Sequence, residues 1–292
     1  MSFSQSLRSN NIPRAIMFMM LSVAAYATQD VFIKLLPSEI SVIQICFFRG
    51  VFSFIPIIIF SRFEKKKQFL RTDSIWLHFW RSLVSTLALF CFIGAFRLIP
   101  LAEAYAITFS CPLFMTLLCI PILREKVSRQ RWLAVITGFI GVLVVMQPGQ
   151  EALQLGGLLA LLGGLFYAIS LVLIRHLSDR DNNTMIIVTF NLMSTSICAA
   201  LLPFNWEPFE LEFLSHFVAI GVLGGCAQYA MTQAFRTGAV SAIAPFDYIA
   251  LLWALGYGYF IWNEAPDVNT ILGSVLIILA GLYIIRHERR SV

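Results

Sequence analysis

Apolar residues follow one another in runs of about 20, separated by short charged or turn-rich stretches, from near one end of the chain to the other. A helix of that length crosses the roughly 30 Å hydrocarbon layer of a bilayer. Ten such runs are recognisable: 15–36, 41–61, 78–97, 101–123, 131–147, 155–175, 184–204, 214–236, 240–262 and 268–286. Barrel strands are excluded, because they would be about 10 residues long with strict alternation. Composition closes off the soluble alternative. The 292 residues would suggest about two soluble domains, but 59% are apolar and only 13% charged, against roughly 25% charged in soluble chains. Mean hydropathy is +0.80. The runs leave only termini and short connections, which excludes a large soluble catalytic domain. The sequence therefore predicts an all-α polytopic membrane protein.

The first run needs separating from a signal peptide. Arg8 and Arg14 precede it, and Ala25-Tyr26-Ala27 resembles a cleavage site. The apolar stretch continues past Ala27 to Leu36, however, and Tyr26-Ala27 recurs as Tyr167-Ala168 in the sixth run. Cleavage would remove half of a repeated unit, so the run reads as a retained helix. Placing the N-terminus inside puts every one of the 21 Lys and Arg residues on the inner side except Lys34, Arg97 and Arg49. That is the positive-inside pattern, and it predicts that both 1–14 and 287–292 are cytoplasmic. The net charge of +5 thus reports orientation, with contact to anionic lipid as a secondary effect, and argues against nucleic acid as a partner.

Cys46, Cys91, Cys111, Cys119, Cys198 and Cys226 all fall inside runs, with no CxxC or Cys/His cluster, and the histidines are scattered. No zinc site, disulfide framework, metal or cofactor is expected. Trp76, Trp80, Trp132, Trp206 and Trp262 sit near run ends, where interfacial anchoring explains them; Trp253 lies mid-run.

The two halves align. Phe96-Arg97 through Glu125 matches Phe235-Arg236 through Glu264 at a constant offset of 139 residues without a gap. Tyr26-Ala27 and Lys34 match Tyr167-Ala168 and Arg175 at 141, and Phe48-Arg49 falls on Phe190-Asn191 at 142. Each half holds five runs, so the second enters the membrane with opposite orientation. Two inverted-topology repeats of five, 15–147 and 155–286, are a recurrent plan of secondary transporters, whose sites lie near the midplane between the repeats. A duplicated structural or assembly protein is the other reading of the same repeat.

Glu125-Lys126-Val127, Trp132, Gly138, Gly141 and Val142 resemble the end of an EamA domain, and Glu264-Ala265-Pro266, Gly273 and Gly281 resemble a second copy. Two such domains over ten spans resemble the drug/metabolite transporter superfamily, across about 15–286. The resemblance implies a polytopic carrier of the bacterial inner membrane that moves small metabolites without ATP hydrolysis. Phe48-Arg49 and Ala244-Pro245-Phe246-Asp247-Tyr248 resemble, more narrowly, a branch that includes riboflavin and S-adenosylmethionine carriers; other branches export amino acids or metallophores.

Ionisable groups inside a membrane cost roughly 2.5–3.5 kcal/mol each and usually face a cavity or a partner. Asp30 and Arg49 lie about 9 Å and about 12 Å below the outer ends of the first two runs, counting about 1.5 Å per residue. Their similar depth suggests an Asp30–Arg49 pair, structural or substrate-binding. Asp247 lies about 10 Å from the inner end of the ninth run, two residues after Pro245, which can break the helix there. It is a candidate for a cationic substrate group or a coupling proton, with Arg236 within snorkelling reach. Its repeat mate is Thr108, so one half alone carries the acid. Glu103 reads as interfacial. Tyr26, Tyr167, Tyr105 and Trp253 are candidate walls for a flat or amphipathic ligand, since a polar tip in hydrocarbon needs a partner. Gly156, Gly157, Gly163 and Gly164 suggest close helix contact, and Pro56, Pro112 and Pro245 are either hinges or rigid kinks.

The expected function is a secondary active transporter of a small organic metabolite by alternating access, with protons as one coupling alternative. A channel or facilitator would show flux without saturation. A membrane-embedded enzyme would form product in detergent, but no GxxxxGK[ST] or HExxH occurs. No feature separates lipid-facing from partner-facing helices, so a homodimer is an open alternative.

Overall fold

The computed structural model describes residues 12–61, 74–111, 113–114, 117–118, 129–146, 151–178, 181, 183–237, 246–247 and 249–290, and within them the chain forms helices and turns, with no strand. With full bounds among the described residues, the α-helices are, in order, α1 (Ile12–Leu35), α2 (Val42–Ser61), α3 (Ile75–Leu98), α4 (Leu101–Thr108), α5 (Arg129–Met146), α6 (Glu151–Ser178), α7 (Asn183–Leu201), α8 (Leu214–Thr237), α9 (Ile249–Trp262) and α10 (Val268–Arg290). Helices are what such apolar runs must form, because a bilayer offers the backbone no hydrogen-bond partners and each segment has to satisfy its own. Stretches of 19 to 24 residues along α1, α2, α3, α6, α7 and α8 are long and apolar enough to cross a membrane, and shorter apolar stretches lie in α5, α9 and α10. The α8 stretch keeps its helix despite Gln228, Gln233 and three glycines.

Two runs depart from the expected continuous helix. In the fourth, α4 stops at Thr108, the chain turns at Phe109 and Ser110, and helix resumes at Cys111. The sequence supplies the cause: a proline at 112 has no N–H to give the Thr108 carbonyl four residues back, so an uninterrupted helix cannot run through it. In the ninth, α9 begins only at Ile249, after a 3-10 turn holding Phe246 and Asp247. Pro245 lies outside the described residues, as do Pro112 and the Glu125-Lys126-Val127 motif.

Helix packing follows a simple exchange. The most extensive contacts are α1 with α8 and α3 with α6, and swapping α1–α5 for α6–α10 converts one pair into the other. The same swap relates α2–α8 to α3–α7, and α1–α9 to α4–α6, while α2–α7, α4–α9 and α5–α10 map onto themselves. At the α5–α10 crossing the backbones touch: a Cβ on Gly141 would meet the Gly273 carbonyl at 2.8 Å, and one on Gly273 would meet the Gly141 carbonyl at 2.6 Å. Small residues permit such close approach between membrane helices.

The main apolar core draws on α1, α3, α4, α5, α6, α8, α9 and α10. A second cluster joins α1, α2, α7 and α8, where Phe48 and Phe217 lie 4.5 Å apart by ring centroids. The perimeter is apolar too: Phe260, Leu252 and Leu279 are exposed, the surface a lipid bilayer covers.

Candidate functional site

Polar side chains converge where α1, α2, α4 and α8 meet. Asp30 is buried on α1 and accepts hydrogen bonds from Tyr105 Oη at 2.5 Å and from Gln29 Nε2 at 3.0 Å. Arg49 on α2 donates its Nε to Gln29 Oε1 at 3.0 Å. The direct Asp30–Arg49 pair expected from depth is therefore a relay. The Gln29 amide stands between the charges, donating to the acid and accepting from the base, so that each charge meets a dipole.

Tyr26, Asp30 and Lys34 are four residues apart and share one face of α1. Tyr26 Oη donates to Gln228 Oε1 on α8 at 2.7 Å. At the end of the helix, Lys34 Nζ reaches both Glu264 oxygens, at 2.9 and 3.1 Å, and lies 4.8 Å from the Trp262 ring centroid. A single helical face thus runs from an ion pair at the bundle end to a buried carboxylate and a tyrosine within.

Asp247 occupies the 3-10 turn before α9. Its side chain is exposed and has no hydrogen-bond partner among the described residues, yet Tyr26, Tyr105, Cys111 and Tyr167 all lie within its electrostatic reach. Tyr167 on α6 donates to Met231 Sδ at 3.9 Å and packs edge-on against Phe92. The structure thus gathers Tyr26, Asp30, Arg49, Tyr105, Tyr167 and Asp247 into one neighbourhood.

Trp253 stands apart from it. It is 40% exposed and stacked on Tyr257 at 5.6 Å, and Tyr257 Oη bonds Thr28 Oγ1 at 2.9 Å. Glu103 lines a shallow depression with Pro100, Glu264 and Pro266 at the end that holds the Lys34–Glu264 pair. The Arg236 side chain lies outside the described residues. Among those described, no group of three or more His, Cys, Asp and Glu could hold a metal.

Four residues of the site carried no expectation of their own: Gln29, Arg81, Gln228 and Asn191. Arg81 on α3 is buried, donates Nη1 to the Ile186 carbonyl at 3.0 Å, and places its guanidinium 4.6 Å from the Phe190 ring centroid. Counting it with the inner positive charges hid its depth. Asn191 on α7 accepts from Ser53 Oγ at 2.7 Å and donates to the Gly50 carbonyl at 3.0 Å. The repeat offset could have found it, since Asn191 is the mate of Arg49 and α2–α7 is a pair the exchange maps onto itself.

The EamA-like transporter family profile matches residues 13–147 and again 154–286. Among curated proteins, the S-adenosylmethionine uptake transporter of Rickettsia prowazekii is 27% identical over 277 residues, 94% of each chain. The riboflavin transporter of Vibrio cholerae is 26% identical over 77% of this chain and 76% of its own. The pseudopaline exporter CntI of Pseudomonas aeruginosa is 25% identical over 94% of this chain and 96% of its own. A protein solved by crystallography shares the fold, with a TM-score of 0.66 at 16% identity over 95% of this chain and 99% of its own.

Proposed function

The chain belongs to the EamA-like transporter family, a family of multi-pass membrane transporters rather than enzymes, and from that premise we propose that it is a secondary active transporter of a small organic metabolite. In this reading ten helices form two inverted-topology repeats of five in the bacterial inner membrane, both termini face the cytoplasm, and access alternates about the Asp30–Asp247 neighbourhood. One observation carries it: regular α-helix gives way at matching positions of the two halves, ending at Thr108 in the first and starting only after Asp247 in the second. α4 ends at Thr108, and its mate at an offset of 139, Asp247, sits in the turn that opens α9. Interrupted helices at corresponding positions of two halves are where transporters place their substrate and coupling sites. The exchange symmetry of the helix contacts supports the same plan.

Asp247, exposed among tyrosines, is suited to a cationic substrate centre or a coupling proton, and Asp30 to holding Tyr105 and Gln29 in place beside it. The relatives' substrates set the first compounds to try: S-adenosylmethionine, riboflavin and pseudopaline. Their names include both uptake and export, so direction is read from the assay. Purified protein in liposomes is expected to take up at least one of these saturably, and faster under one sign of pH gradient. Flux that rises linearly with concentration and ignores the gradient would instead identify a channel.

A further inference from the structure

Arg49 and Arg81 are both buried, and neither has a carboxylate partner among the described residues. An uncompensated cation at such a depth is costly and calls for an anion. Arg49 spends only Nε on Gln29, and its terminal nitrogens have no partner among the described residues. They face a cleft between α2, α7 and α8 that Asn191 and Gln228 also line and that contains no acid. Gln228 accepts from Tyr26 through its oxygen, so its amide nitrogen is the donor left for the cleft. Phe190 forms one wall, and the Arg81 guanidinium lies over that same ring. The buried Arg81 Nε has no hydrogen-bond partner among the described residues. On the other wall a Cβ at Gly224 would come 3.2 Å from Arg49 Nε and 3.3 Å from its Nη2, so the α8 backbone lies close against the guanidinium. A planar guanidinium with free terminal donors, amide donors beside it and a second positive charge behind is the chemistry that receives a carboxylate or phosphate oxyanion.

We propose that this cleft is an oxyanion subsite for the transported molecule, with Arg49 as its principal donor, Asn191 and Gln228 at its rim and Arg81 supplying supporting charge. The assignment rests on the transporter reading and deepens it. Tyr26, one turn before Asp30 on α1, donates to Gln228 at the rim of the cleft, and Gln29 links Asp30 to Arg49, so the cleft adjoins the acidic centre. The substrate class that matches both is a molecule with an oxyanion at one end, a cationic or protonatable centre at the other and an apolar body between them.

The test uses benzoate and its neutral isostere benzamide as probes of the full chain in phosphatidylcholine vesicles, with binding read by calorimetry. Wild type is expected to prefer benzoate by about tenfold or more, as a charge-assisted bidentate contact gives. Arg49→Gln removes that preference, Arg49→Lys keeps part of it, and Gly224→Ala reduces it by displacing the Gln29 oxygen that holds Arg49 Nε. Unfolding midpoints without ligand identify any variant that has lost its fold, and the remaining variants still decide the question. Equal binding of the two probes, no benzoate binding at all, or a preference that survives Arg49→Gln overturns the subsite. Displacement of benzoate by added phosphatidylglycerol assigns the oxyanion to a lipid headgroup and likewise overturns it. The transporter reading fails separately, by absence of metabolite uptake while the benzoate preference persists.

Discussion

Asp30 and Asp247 divide the acidic chemistry between them by their surroundings. Asp30 is held by two donors, Tyr105 and Gln29, whereas Asp247 is exposed and has no hydrogen-bond partner among the described residues. Asp247→Asn is expected to abolish or uncouple transport while leaving expression intact; normal uptake by that variant, measured in liposomes, would remove Asp247 from the mechanism. Tyr105→Phe deletes one hydrogen bond to a carboxylate, worth about 1.5–3 kcal/mol, so uptake efficiency is expected to fall about tenfold or more, with the fold retained by thermal unfolding. Asp30, Arg49 and Asp247, though not Arg81 near the end of its run, were legible in the sequence, because charge is expensive in a bilayer and stands out against its neighbours. Uncharged polar groups were not. Gln29, Gln228 and Asn191 became members of the site only when helix packing brought them against Arg49, Tyr26 and Ser53.

The helices themselves were legible from run length, and where the expected boundaries failed they failed at prolines. The fourth run breaks after Thr108 and resumes helix at Cys111, because a proline at 112 cannot complete the ladder at the Thr108 carbonyl. Apolarity alone could not locate that break, since the residues on both sides of it are equally hydrophobic. Close packing at the α5–α10 crossing makes a second kind of prediction. Gly273→Val drives a side chain into Val145 and the Gly141 carbonyl, and overpacking of this kind costs about 1–3 kcal/mol. A lowered unfolding midpoint in detergent is the expected result. Gly256 has nothing within 4 Å of a built Cβ, so Gly256→Ala in α9 is expected to be neutral or stabilising by up to about 1 kcal/mol. A larger loss at Gly256 than at Gly273 would contradict the packing described.

At the scale of the whole molecule, one end of the bundle is laced together. Lys34 pairs with Glu264, Arg97 donates to the Pro37 and Ile40 carbonyls, Ser41 donates to the Asn205 carbonyl, and Gln44 exchanges two hydrogen bonds with the Glu207 backbone. These contacts tie the α1–α2 connection to α3 and to the α7–α8 connection, and α1 to the α9–α10 connection. In the proposed topology, with both termini cytoplasmic, this is the outer end. A reporter enzyme that matures only in the cytoplasm, fused after Arg290, is expected to be active, and one inserted in the 205–210 connection inactive; the reverse result would invert the topology. The repeat was legible in the offsets of 139, 141 and 142 residues, but offsets hold no information about which helices touch, and that pairing is what brings Asn191 to Arg49's cleft and Asp247 to Tyr105. Alternating access about this centre is most directly tested by solute counterflow in liposomes holding the full chain. With unlabelled S-adenosylmethionine inside, labelled S-adenosylmethionine outside should accumulate transiently above equilibrium in wild type and fail to do so in Asp247→Asn. Simple equilibration without overshoot, identical in both proteins, would contradict a carrier whose site is exposed to one side at a time.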